Sequence, residues 1–150
     1  DLIGPMLFAI SMGTARAIYG KYGEKIKLET FMLGSAVLCV ISYLIVSLLP
    51  FALAGVIGCG IAGFSVGIMW PGTFSMASAK IKNGGTAMFA FMALAGDLGC
   101  SVGPTLVGIV SDHYSENLRV GIFAALIFPI VLIYGISNIK KYKDIDCKAS

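Results

Sequence analysis

The sequence predicts an all-α, polytopic membrane helix bundle of five transmembrane helices. Three observations carry this. Hydrophobic residues make up 57% of the 150 and charged residues only 13%, about half the charged share usual in a soluble domain. The mean hydropathy is +0.89. The charges also cluster at the ends of apolar runs long enough to cross a hydrocarbon core of about 30 Å. A soluble fold of this size has too little interior to hide so much apolar surface. Strands are excluded because the runs exceed the roughly 10 residues of a barrel strand and lack strict alternation.

The spans follow from the charges in order. Residues 2–15 are uncharged and Arg16 follows, which places the first span at about 2–19. A charged loop from Gly20 to Glu29 closes it. Residues 30–79 are again uncharged, too long a run for one crossing and suited to two. The divide falls in SLLPF, because Pro50 lacks a backbone donor and disfavours helix just before itself. The second and third spans are therefore about 29–49 and 52–77. KIKNGG ends the third. The run from 84 to 111 contains only Asp97, giving a fourth span at about 85–110. The polar SDHYSENLR precedes an uncharged fifth span, about 119–139, and residues 140–150 form a basic tail.

All but Arg119 of the eleven Lys and Arg residues fall on one side if these spans alternate. Basic loops stay in the cytoplasm, so the tail should be cytoplasmic and the protein a multi-pass plasma (inner) membrane protein. The basic residues are split among short loops, which does not suit nucleic-acid binding. The chain opens at Asp1 directly into an apolar run with no basic leader, so we expect a piece of a longer protein. Cys39, Cys59, Cys100 and Cys147 have no metal-ligand or redox spacing. No cofactor, metal site or catalytic residue is expected, and the chain is not read as an enzyme.

Span character differs along the chain. The second and fifth spans carry bulky side chains on all sides and read as lipid-facing. The third, with Gly55, Gly58, Gly60, Gly63 and Gly67, and the fourth, with Gly96, Gly99, Gly103 and Gly108, read as closely packed. On the fourth, Ala90, Ala93, Asp97, Ser101, Pro104 and Gly108 form one small-residue stripe opposite a bulky stripe of Phe91, Leu94, Leu98, Val102 and Ile109. Asp97 is thus expected to face packed protein or a water-filled cavity near the bilayer midplane. A carboxylate there costs at least ~2.5–3.5 kcal/mol on insertion scales. It is either a coupling-ion or proton site, with Ser101 beside it, or a bonded Asp that holds two helices together. In Met69-Trp70-Pro71-Gly72, Pro71 would crowd the carbonyl of residue 67, and that residue is Gly67. The pair Gly67 and Pro71, like Gly103 and Pro104, is a candidate hinge. Met69 and Trp70 are candidates for lining a solute path, and an interfacial anchor is the other reading of Trp70. Arg16 is either a second charge for the site or an anchor that snorkels toward the cytoplasm.

Together these stretches resemble the C-terminal half of the major facilitator superfamily. GKYGEK (20–25) is similar to that family's cytoplasmic loop motif, matching at Gly20, Glu24 and Lys25, with Ile26, Lys27 and Leu28 where the family has a further Gly and a basic pair. GDLGCSVGPTLVGIVSD resembles its eleventh span, GIMWPGTFSMAS the tenth span of fucose-permease-like members, and GPMLFAISMGTARAIYGKYG its eighth span with the following loop. The resemblance implies spans eight to twelve of a twelve-span secondary transporter. Such a protein moves a small polar solute, a sugar or an organic anion, by alternating access. Its partners would be the solute, a coupling ion or proton, the lipid bilayer and the N-terminal half of the same transporter. Two other classes stay open. One is a structural or channel-forming membrane subunit, although no charged pore stripe supports it. The other is a membrane-embedded transferase, because GTAR (13–16) resembles part of such an enzyme's signature, although only Glu24 follows as a metal ligand.

Overall fold

The computed structural model describes residues 2–22, 27–81, 84–114 and 117–149, with side chains up to residue 138. The described residues form helices only: α1 (Ile3–Tyr22), α2 (Leu28–Leu48), α3 (Ala52–Lys80), α4 (Gly85–His113), α5 (Leu118–Ala124) and α6 (Ile127–Ala149). Four segments are long and apolar enough to cross a membrane: α2, α3, α4 and the α5–α6 pair over Leu118–Asn138. The expected first span, α1, has the length, since its 20 residues reach about 30 Å at 1.5 Å per residue. It falls short in apolarity, because Arg16 and Lys21 lie within its last two turns.

The expected fifth helix is two segments, with a turn at Ala125–Leu126. Pro129 explains the break. Its ring crowds the carbonyl four residues back, at Ala125, and it has no N–H to offer it. The ladder tightens instead. The Leu126 N–H donates to Phe123 O and the Phe128 N–H to Ala125 O, each at 3.2 Å, before the normal spacing resumes from Ile130 to Leu126.

Helix α3 packs along α1 on one side and α2 on the other. With α1 it runs parallel: Gly4 faces Cys59, Phe8 faces Gly63, and Met12 and Ala15 face Gly67. With α2 it runs antiparallel: Val46 meets Gly58, Met32 meets Gly72, and Lys80 Nζ lies 3.9 Å from Glu29 Oε1. Glycines make both approaches close. A Cβ on Gly67 would lie 2.8 Å from Met12 O, and one on Gly63 2.9 Å from Phe8 Cα. Between α2 and α3, the buried Ser42 Oγ donates to Gly58 O at 2.7 Å.

Helix α2 also packs on α5 and α6, where Met32, Met76 and Ile136 form a buried cluster with Leu28, Leu33 and Leu132. This corrects the reading of the second span as lipid-facing. Its Ser35, Ala36, Cys39 and Ser42 are buried at helical spacing, and this small-residue stripe puts α2 at the centre of the bundle. The fourth helix departs in the opposite sense. It touches α5 and the edge of α3, and Ser111 is its only buried residue. Phe91, Leu94, Leu98, Val102 and Ile109 are exposed, and so are Ala90, Asp97, Ser101 and Pro104 of the opposite stripe.

Candidate functional site

The polar and irregular features gather where α1, α3 and α4 are level with one another. Pro71 sits inside α3 without ending it. Having no N–H, it leaves the carbonyl of Gly67 without its normal helical donor. Arg16 of α1 supplies one: its Nε–H donates to Gly67 O at 3.1 Å. The absence of a side chain at Gly67 makes this reach short, because α1 lies directly against that turn of α3. Arg16 therefore has a partner on a neighbouring helix. It bridges two helices at the point where a proline interrupts the backbone ladder.

One turn further along α3, Trp70 projects toward α4. Its ring occupies the space that a Cβ on Gly96 would need. It also packs on Phe74 at 4.9 Å, and Phe74 stacks on Phe89 of α4 at 5.7 Å with ring planes 8° apart. Since Trp70 pairs with Gly96 and Phe74 with Phe89, α3 and α4 run antiparallel here. Asp97, next to Gly96, thus lies close to the level of Trp70 and Gly67, near the middle of α4. Within this chain Asp97 is exposed. The protein around it that the small-residue stripe implied is not supplied by α1–α6.

Ser101 follows Asp97 by one turn and donates from Oγ to Asp97 O at 3.1 Å, while Thr105 Oγ1 donates to Ser101 O at 2.7 Å. These hydroxyls bond back to their own helix, so the Ser101 proton is turned toward the backbone. A groove of about 460 Å³ begins at Ser101 and runs along Val102, Thr105, Leu106, Ile109 and Val110.

Of the residues singled out from sequence, Gly67, Trp70, Pro71 and Asp97 are brought to one level, with Met69 adjacent and Ser101 one turn away. Gly103 and Pro104 lie further along α4, and nothing lies within 4 Å of where a Gly103 Cβ would be. Gly20 is exposed near the end of α1. Glu24 and Lys25 lie outside the described residues. The role of Arg16 toward Gly67 and that of Gly96 as the seat of Trp70 were not anticipated. The first had a signal: a proline four residues after a glycine frees a carbonyl that some donor must satisfy. No group of three or more His, Cys, Asp or Glu side chains able to hold a metal occurs among the described residues.

The described residues define an all-helical protein with four helices fit to cross a membrane and two exposed charged side chains, Arg16 and Asp97, near one level along it. No family model matches the chain, and neither curated proteins nor solved structures give a match.

Proposed function

We propose that the chain belongs to a secondary transporter that moves a small polar solute by alternating access, with Asp97 carrying the coupling proton or ion. The observation that carries this reading is the placement of an arginine and an aspartate beside a proline-interrupted, glycine-rich helix. Charged side chains in spanning helices are expensive, and they mark ion and solute pathways more often than they mark packing. Prolines inside spanning helices are tolerated where a neighbouring group satisfies the freed carbonyl, as Arg16 does at Gly67. The resemblance to spans eight to twelve of the major facilitator superfamily supports the same reading. On it, the exposed face of α4 meets the other half of the transporter, in the plasma membrane, with the basic tail in the cytoplasm. The glycine and proline pairs at Gly67–Pro71 and Gly103–Pro104 act as hinges, and Met69 and Trp70 line the path.

The test is Asp97→Asn in the full gene product, reconstituted in liposomes and supplied with a panel of sugars and carboxylates. Asn keeps the shape and can hydrogen-bond, but it cannot exchange a proton. Accumulation against a gradient should be abolished while counterflow of the same solute persists, because exchange needs no net proton release. Leu98→Val, one residue away on the bulky face, should change neither. Normal accumulation by Asp97→Asn would reject coupling and leave helix packing as the role of Asp97.

A further inference from the structure

We propose that Arg16 binds an oxyanion, a carboxylate or a phosphate, through the end of its guanidinium group that the Gly67 bond leaves free. A guanidinium has five N–H donors in a fixed fork. The single Nε–H is engaged by Gly67 O at 3.1 Å, and Arg16 has no carboxylate within ion-pair distance among the described residues. A backbone carbonyl is a neutral acceptor. It orients the group without cancelling its charge. The Nη groups, with four N–H donors between them, remain on a residue that is exposed rather than buried. Their paired geometry matches two oxygens of one anion, whereas a sugar hydroxyl would leave the charge unmatched.

The anchoring matters as much as the charge. A free arginine side chain loses rotamer entropy when it is fixed. Here Pro71 creates the acceptor and Gly67 provides the close approach, so the fork is partly ordered before any anion arrives. That the anion is a transported solute rests on the transporter reading. The binding itself does not, and a lipid headgroup is the other source of the same chemistry.

Trp70 is the only tryptophan in the chain and lies one turn from Gly67, so its fluorescence reports on the site. The full gene product, with any other tryptophan replaced by phenylalanine, would be held in phosphatidylcholine nanodiscs at constant ionic strength. It would be titrated with inorganic phosphate and with succinate, using chloride as the reference. A second set of nanodiscs would contain phosphatidylglycerol. We expect a saturable change in Trp70 emission that chloride does not produce. It should weaken about tenfold or more in Arg16→Gln, whose amide still donates to Gly67 O, as expected for charge-assisted bonds of 1.5–3 kcal/mol. Arg16→Lys, which keeps charge without the fork, should fall between. If Arg16→Gln does not fold, as judged by circular dichroism, Arg16→Lys is the deciding variant. A response to phosphate or succinate in neutral lipid supports a soluble anion, and one confined to phosphatidylglycerol supports a headgroup. Equal responses in native and variant proteins, or none to any of the three, would overturn the proposal. Because the titration reads binding alone, a protein that binds the anion but moves nothing would lose the transporter reading and keep this one.

Discussion

At Gly63 and Gly67 the lack of a side chain decides how near α1 comes to α3. The atoms that a Cβ would strike are backbone atoms of Phe8 and Met12, which cannot rotate away as a side-chain tip can. Overpacking of this kind costs about 1–3 kcal/mol, more than the ~0.6 kcal/mol of an average interhelical hydrogen bond in a membrane. Filling either glycine should therefore cost more than losing one such bond. Gly63→Leu should lower stability by roughly 1–3 kcal/mol, read as an earlier transition when the protein in mixed micelles is titrated with dodecyl sulfate. Gly99→Ala, with nothing within 4 Å of the new Cβ, should stay within about 0.5 kcal/mol of the parent. If both variants behave alike, the glycines do not act through contact distance.

Among the elements, the parallel pairing of α1 with α3 has a register that can be tested directly. A Cβ on Gly4 would lie 3.7 Å from Cys59 Sγ, within reach of a disulfide after a small shift. Gly4→Cys should lose two free thiols on mild oxidation, whereas Gly4→Cys in a Cys59→Ser background should lose none, as counted by alkylation and mass. Retention of all thiols would contradict the register. The pairing matters for the site, because the same register sets Arg16 against Gly67. The broken α5–α6 element shows the other way a proline can be accommodated. At Pro129 the chain tightens into a turn, whereas at Pro71 the helix continues and a neighbouring side chain satisfies the freed carbonyl.

Across the whole molecule, α2 is the central helix, with α3 and then α1 on one side and α5, α6 and then α4 on the other. Lys80 and Glu29 mark one end of the bundle. At the other end Ser47 Oγ donates to Arg119 O at 3.0 Å, so Arg119, the exception to the basic asymmetry, lies opposite Lys80. The basic asymmetry led us to expect a cytoplasmic tail. In a variant whose other three cysteines are serine, Cys147 should react with an impermeant thiol reagent only after membranes are permeabilised. Labelling from outside intact cells would reverse the orientation.

The helices and their ends were legible in the sequence because run length, charge and proline position are properties of the chain alone. Residues 30–79 had to divide near Pro50, and helix α2 ends at Leu48. The break at Ala125–Leu126 went unread, although Pro129 was its signal, as did the continuation of α6 through the expected tail to Ala149 and the shortfall of α1 in apolarity. Neighbours were a different matter. A stripe of small residues shows that a helix can be approached, but not by which partner, since lipid tails are as apolar as leucine and apolarity alone brings no two helices together. The stripe on α4 looked buried and is exposed within this chain, while Ser35, Ala36, Cys39 and Ser42 on α2 looked ordinary and form its packed face. The bond from Arg16 to Gly67 joins residues 51 apart in sequence. The sequence by itself determined that Pro71 would leave a carbonyl in need of a donor. Which side chain answers it depends on how closely two glycine-lined backbones meet, and only the tertiary structure decided that.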